Sequence, residues 1–224
     1  MSENKMRILV ISDSHGRNDD VAGVIEQVGP IDMLIHCGDV ERGDDYIRSL
    51  VDCPVHMVSG NNDYNLDLPA QDIFNIGDYK VLVVHGHTFC VYRGVERLKQ
   101  YALQNHIDIV MFGHTHRPII DYHKDVIALN PGSLSYPRQE GKRPSYIIMD
   151  LDITRDNRGD ITPWGISVNT RHVQTQVLVE NGGTVAIGGV FEMEETNTEN
   201  KVPVLGDVPV VGNLFKSQTK EAEK

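Results

Sequence analysis

The chain has 224 residues, 40% of them hydrophobic, enough for one well-buried domain of ordinary size and a smaller appendage. Its formal charge of −11, from 32 acidic and 21 basic side chains, argues against a broad hold on nucleic-acid phosphates or on an anionic membrane surface. Cys37, Cys53 and Cys90 are scattered and lack metal-ligand spacing, and the N-terminal apolar run at residues 8–11 is too short for a signal-peptide core, so a reducing, cytoplasmic setting is expected.

"RILVIS" reads as a short β-branched strand that ends in the polar loop "DSHGRNDD". "VAGVIEQV" follows with helical spacing of apolar residues, and Asp19 or Asp20 is placed to cap it. The unit recurs: "IDMLIHCGD" is a strand and loop, "DDYIRSLV" a helix, and "CPVHMVSGNND" the next strand and loop. Such alternation predicts an α/β domain with a largely buried sheet. "DIFNIGDYKVLVVHGH" then reads as two strands around a turn, followed by a helix over about residues 94–105. "IDIVMFGHTHRP" is another strand and loop, "PIIDYHKDVIALNPGS" a hairpin, and "SYIIMDLD" a last strand. The expected architecture is a two-sheet β-sandwich flanked by helices.

Beyond about residue 152 Gly, Asn, Thr, Val and Pro dominate and no amphipathic helix is apparent. "VQTQVLVENGGTVAIGGVFEMEE" predicts a hairpin around Asn181 to Gly183, and "VPVLGDVPVVGNLF" is an apolar segment punctuated by Pro and Gly. The C-terminal appendage is therefore expected to be β-rich.

The chemistry concentrates at strand ends. In chain order they deliver Asp13 and His15, then Asp39, then Asn61, then His85, then His114 and His116. Loops beyond the carboxyl ends of neighbouring strands converge on one crevice, so these residues are candidates for a single site. Imidazole and carboxylate together suit manganese, iron, zinc or nickel, whereas an all-oxygen calcium cage would not use so many histidines. One carboxylate can bridge two ions about 3.5–4 Å apart, the spacing of a hydrolytic two-metal site. A lone histidine is more often structural than a ligand, and His36, His56, His106, His123 and His172 are read that way. D-x-H or Gly-Asp alone is a weak signal; five such motifs in order, each after a β-rich run, form a strong one.

The motifs "DSHG", "HCGDV", "GNND", "HGH", "GHTH" and "NPGS" resemble those of the calcineurin-like metallophosphoesterase superfamily, and more narrowly its small bacterial and archaeal phosphodiesterases, from residue 7 to about 150. The resemblance implies that Asp13, His15, Asp39 and His116 hold one metal and that Asp39, Asn61, His85 and His114 hold the other, with Asp39 bridging. Much of the superfamily has histidine directly after the ligand asparagine, where it contacts the scissile phosphate; this chain has Asn62, and the small phosphodiesterase branch commonly lacks that histidine. Asn62 can donate a hydrogen bond to a phosphate oxygen but cannot deliver a proton as imidazolium can. His87 is the nearest substitute, with a supporting role behind the ligands as the alternative. In "NPGSLSYPR", Gly132 and Arg138 are candidate substrate contacts, with a purely structural turn as the alternative.

The segment "GGTVAIGGVFEMEETNTENKVPVLGDVPVVGNLF" resembles a different family, the end of the secretin pore subunits of type IV pilus and type II secretion systems. About 55 residues cannot close a barrel alone, because unpaired strand edges would remain. The expected division is a phosphoesterase domain over 1–152, a join over 153–166, a secretin-like segment over 167–216 and an unordered polar tail over 217–224. A chimera is preferred to a natural fusion, with the segment a partly ordered hairpin exposing an apolar face.

These observations predict a phosphodiesterase that hydrolyses small phosphodiesters by attack of a metal-bridging hydroxide. Its cofactors would be two divalent ions, manganese first, with nickel, iron or zinc as alternatives. Nucleic acid and membrane are not expected as partners of the enzyme domain, a homo-oligomer is compatible with the sequence, and secretin subunits are partners only if the tail is functional. The competing readings are a metal-binding scaffold on the same fold, as for the retromer subunit that resembles this family, and an outer-membrane secretion component.

Overall fold

The N-terminal β-branched run forms β1 (Lys5–Ile11), whose Ile8, Leu9, Val10 and Ile11 are fully buried. The structure is a computed structural model that describes residues 5–123, 126–152, 169–179, 190–201 and 216–221. Two compact units are distinguished: Lys5–Leu151 with Gln174–Gly189, and Asp152–Val173 with Val190–Lys224 and Met1–Asn4.

In the first unit, β1 leads to α1 (Asn18–Val28), which buries Val21 and Val24. No side chain caps this helix. Arg17 holds the N-cap position, and Asp19 and Asp20, expected as caps, lie in the first turn, where their carboxylates meet the positive end of the helix dipole. β2 (Met33–His36), the short helix α2 (Asp44–Ser49) and β3 (Val55–Met57) follow. β1, β2 and β3 pair in parallel, with Ile11 opposite His36 and His36 opposite Met57.

β4 (Gln71–Ile76) and β5 (Tyr79–Val84) form the expected antiparallel pair, closed with Ile76 opposite Tyr79. Two short 3₁₀ turns, His87–Phe89 and Val91–Arg93, precede α3 (Glu96–Gln104) and β6 (Ile109–Met111). β7 (Pro118–His123) and β8 (Val126–Pro131) make the predicted hairpin, and β9 (Ser145–Asp152) is the strand expected to complete the domain. One sheet runs β9-β1-β2-β3 within this unit; the other runs β4-β5-β6-β8-β7.

Alternation along the strands explains the layering. Leu9, Ile11, Leu34, Met57, Tyr146 and Ile148 pack with Val21 and Val24 of α1 and Ile47 of α2. Leu82, Val84, Val110 and Ala128 pack with Leu98 and Ala102 of α3. The intervening residues Ile8, Val10, Ile35, Val81, Val83, Ile109 and Met111 point to the opposite faces and are equally buried, so each sheet is covered on both sides. Helix, sheet, sheet, helix is the resulting order, as the sequence pattern predicts.

The C-terminal part carries β10 (Asn169–Val179), β11 (Val190–Lys201) and β12 (Lys216–Glu221). β12 falls largely within the stretch expected as an unordered polar tail, 217–224. It pairs antiparallel with β11, Lys216 opposite Lys201 and Glu221 opposite Thr196, so its backbone groups find partners although its side chains are polar. The join at 153–166, the turn expected at Asn181 to Gly183 and the segment "VPVLGDVPVVGNLF" lie outside the described residues.

Candidate metal centre

The candidate ligands follow the carboxyl ends of β1, β2, β3, β5 and β6, where the chain must turn sharply to keep each side chain over the sheet edges. The backbone shows the consequence. Asp13 (φ 53°), His15 (φ 45°), Asp39 (φ 56°), His114 (φ 67°) and His116 (φ 56°) all adopt the left-handed conformation that residues other than glycine rarely take. Such strain persists only where surrounding structure holds it, and it clusters at functional sites.

Hydrogen bonds between loops supply that hold. Asp13 N donates to Gly38 O at 3.0 Å and His15 N to Asp39 O at 2.9 Å, joining the loops after β1 and β2. His114 N donates to Asp13 Oδ2 at 3.1 Å, bringing in the loop after β6 from the other sheet. Close approach also requires small residues: a Cβ on Gly60 would lie 2.1 Å from Asp39 Oδ1, and one on Gly113 would lie 2.0 Å from Ser12 Oγ.

Asp13, His15, Asp39 and His116 converge, with one potential ligand atom from each lying within 4.8 Å of all the others. His116 Nε2 is 3.1 Å from Asp13 Oδ1, and His15 Nε2 is 3.4 Å from His116 Nε2 and 3.8 Å from Asp39 Oδ2. Asp13 is fully buried, and its Oδ1 has no hydrogen-bond partner among the described residues.

Asp39 also reaches the remaining candidates. Its Oδ2 is 3.5 Å from His85 Nε2, which lies 3.2 Å from Asn61 Oδ1. The His114 ring stands edge-on to His85, centroids 5.2 Å apart. Asp39 Oδ2 thus lies close to both His15 Nε2, at 3.8 Å, and His85 Nε2, at 3.5 Å.

The outer ring nitrogens show how the rings are oriented. His15 Nδ1 lies 2.7 Å from Glu41 Oε1, His116 Nδ1 lies 2.7 Å from the Tyr136 carbonyl, and His85 Nδ1 lies 2.8 Å from the Cys37 carbonyl. Carboxylate and carbonyl oxygens only accept, so each ring donates from Nδ1 and, when neutral, turns the Nε2 lone pair inward. The inward atoms are then almost all acceptors: three imidazole nitrogens, an amide oxygen and carboxylate oxygens. Cations between them satisfy the set, and the donors fit divalent ions.

Without ions, protons respond to the same field. Burial opposes a charge on His85, but hydrogen bonding to Asp39 and the charges of Asp13 and Asp39 outweigh it and raise its pKa. Burial likewise opposes ionisation of Asp39, yet His85 and two hydrogen bonds from Asn62 hold its carboxyl well below the usual range. His114 and His87 are both lowered, first by burial and then by the neighbouring His85.

Asn62 donates from its backbone N to Asp39 Oδ1 at 2.9 Å and from its side-chain amide to Oδ2 at 2.7 Å. Its amide therefore bonds the central carboxylate. The His87 ring lies 5.5 Å from His85 and 6.1 Å from His114, and its Nδ1 is buried without a partner among the described residues. Gly132 does make a close approach, but to Ser145 and Pro118: a Cβ there would lie 2.1 Å from Ser145 Oγ. Arg138 is exposed and meets the site through its backbone, donating from N to the His116 carbonyl at 2.9 Å.

Sequence reasoning missed four residues. Asp63 accepts from Glu41 N at 2.5 Å and from Gly60 N at 2.7 Å, locking the loops after β2 and β3 together. Glu41 orients His15. In "NPGS", Asn130 donates to the Gly113 carbonyl at 2.8 Å and Ser133 to the Asp13 carbonyl at 2.8 Å, bracing the loops after β6 and β1. Each lies inside or directly beside a quoted motif, which was the available signal; each also has a partner in another motif, which linear spacing does not display.

A helix-flanked pair of sheets with a carboxylate–imidazole cluster beyond the carboxyl ends of its strands defines a metal-binding α/β protein. The chain belongs to the calcineurin-like phosphoesterase superfamily, whose domain model matches residues 6–154. A probable metallophosphoesterase of Methanocaldococcus jannaschii is 41% identical over 139 residues, 59% of this chain and 70% of the relative. A crystal structure of a conserved uncharacterised protein of Streptococcus pneumoniae, described as a predicted phosphoesterase, has TM-score 0.66 and 25% identity; the match covers 85% of this chain and 99% of that one. A second model, bacterial type II and III secretion system protein (secretin), matches residues 137–224. The type IV pilus biogenesis and competence protein PilQ of Neisseria meningitidis is 41% identical over 81 residues, 35% of this chain but only 11% of that protein. The two family matches overlap over 137–154, which contains β9.

Proposed function

We propose that residues 1–152 form a phosphodiesterase that depends on two divalent ions and acts on small phosphodiesters. Asp13, His15, Asp39 and His116 would hold one ion and Asp39, Asn61, His85 and His114 the other, with Asp39 shared. The observation that carries this reading is the inward-facing acceptor set, above all His15 and His116 with their Nε2 atoms 3.4 Å apart. Bound divalent ions supply an activated water at neutral pH and positive charge for phosphoryl oxygens.

The chain's own residues supply the rest. Asp39 presents one oxygen to both ligand groups, and Asn62 holds that carboxylate through both of its oxygens. No imidazole follows the ligand Asn61, so the leaving group must take its proton elsewhere; His87, beside the second ligand group, is the proposed donor, and Arg138 and Gly132 remain the proposed substrate contacts. The mixed carboxylate, imidazole and amide donors favour manganese over softer alternatives. The three cysteines are free, which supports a reducing, cytoplasmic setting.

The competing scaffold reading would tolerate loss of ligands, whereas here every expected ligand position is filled. The proposed division keeps β9 with the enzyme, because it lies beside β1, and treats 153–166 as a join to a secretin-derived segment over 167–216. That segment is proposed to be a chimeric addition rather than a working pore; heat-resistant multimers in an outer-membrane fraction would overturn this. No helix among the described residues is long and apolar enough to cross a membrane.

The test is metal analysis of the purified chain with hydrolysis of bis(p-nitrophenyl) phosphate under added manganese. Asp39→Asn is expected to lower the rate by about a thousandfold, roughly 4 kcal/mol of transition-state stabilisation. Absence of bound metal, or full activity of that variant, would refute the reading.

A further inference from the structure

We propose that Glu41 is a positioning residue that sets the affinity of the first ion position, so that the two positions load unequally. The inference rests on the two-ion reading and adds to it a residue and an order of loading.

Glu41 Oε1 lies 2.7 Å from His15 Nδ1. The carboxylate fixes the Nδ1–H tautomer, turns Nε2 towards Asp13 and His116, and makes that nitrogen more basic. The contact is built rather than casual. Glu41 sits at φ 65°, in the left-handed region, and its N–H is held by Asp63 Oδ1. Asp63 is buried and also accepts from Gly60 N, so the loop after β3 fixes Glu41 and Glu41 fixes His15. Two other loops thus act on one imidazole.

The second ligand group has no equivalent. His85 donates from Nδ1 to a neutral acceptor, the Cys37 carbonyl. The His114 ring makes no hydrogen bond with any described residue, and Asn61 contributes an uncharged amide. The first group has two carboxylates, Asp13 and Asp39, and two oriented rings, one backed by a further carboxylate. Charge and orientation both favour the first position.

The experiment is a titration of the full chain, stripped of metal, with Mn²⁺ in competition with a chromophoric chelator. The unaltered chain is expected to show a tight and a weaker class of sites. Glu41→Gln keeps an acceptor but loses the charge, and Glu41→Ala loses both. The tight class is expected to weaken about tenfold in the first and about a hundredfold in the second, with the weaker class unchanged. In the ion-free protein, ¹⁵N shifts of His15 should move from a single Nδ1–H tautomer to a mixture in Glu41→Ala, which a merely structural role would not produce. An unchanged tight class in Glu41→Ala, or an equal fall in both classes, would overturn the proposal. No uptake of Mn²⁺ by the unaltered chain would overturn the two-ion reading itself.

Discussion

His15 and His116 face one another Nε2 to Nε2 at 3.4 Å, while Glu41 and the Tyr136 carbonyl receive their Nδ1 protons. Neither inward nitrogen can donate to the other when both rings are neutral. In that state two lone pairs face each other, a repulsion that a bound cation converts into attraction.

Ion removal should consequently destabilise the protein as well as inactivate it. With free ion at a hundred times its dissociation constant, one site contributes about 2.7 kcal/mol to stability. For a chain of this size that corresponds to a fall of about 5–10 °C in melting temperature on chelation. Calorimetry with and without chelator checks it; coincident melts would show that the cluster binds no ion with useful affinity.

Gly60 offers a test that leaves every ligand in place. A Cβ there would lie 2.1 Å from Asp39 Oδ1 and 2.4 Å from the Asp39 backbone N, so the added atom displaces the central carboxylate and its main chain. Gly60→Ala is expected to cost about 1–3 kcal/mol, as overpacked sites do. Denaturant unfolding measures that loss, and metal uptake should fall with it; unaltered uptake would show that Asp39 tolerates displacement.

Asn62 is bound to Asp39 through its backbone N and its side-chain amide, and neither group can act as a strong acid. The proton is then left to His87, whose pKa burial lowers, so that little of it is protonated at neutral pH and rates should fall steeply as the leaving group becomes more basic. Asn62→His places an imidazole at that position and is expected to flatten the dependence across aryl phosphodiesters. The same slope in both proteins would show that the position takes no part in leaving-group departure.

The layered fold was legible because β-branched runs alternate with helical spacing from "RILVIS" to "GNND", and hairpin turn signals divide the strands from there to "SYIIMDLD". The candidate ligands were legible because each follows directly on a strand. Their supports were not. Glu41 meets His15 across 26 residues, and Ser133 meets Asp13 across 120, separations set by sheet topology rather than local pattern. The capping aspartates at α1 failed for the opposite reason: a local rule was applied two or three residues too late, and the backbone enters the helix from Arg17.

His36, read from sequence as a structural histidine, carries the remaining prediction. It is fully buried at the end of β2, accepts from Gly38 N at Nδ1 across 3.2 Å, and donates from Nε2 to Ser14 Oγ across 3.0 Å. Burial lowers its pKa from 6.5 to about 4, against the opposing charges of Asp13, Asp63 and Asp39. The unfolded chain takes up the proton first, so the stability from keeping this ring neutral is complete above pH 6.5 and is lost as pH falls towards 4. The span corresponds to about 3 kcal/mol. Urea unfolding under chelator should therefore show a steeper acid decline for the unaltered protein than for His36→Gln between those limits. Groups common to both proteins cancel in the difference. Parallel curves would mean that His36 is protonated in the fold, with Ser14 and Gly38 rearranged around it.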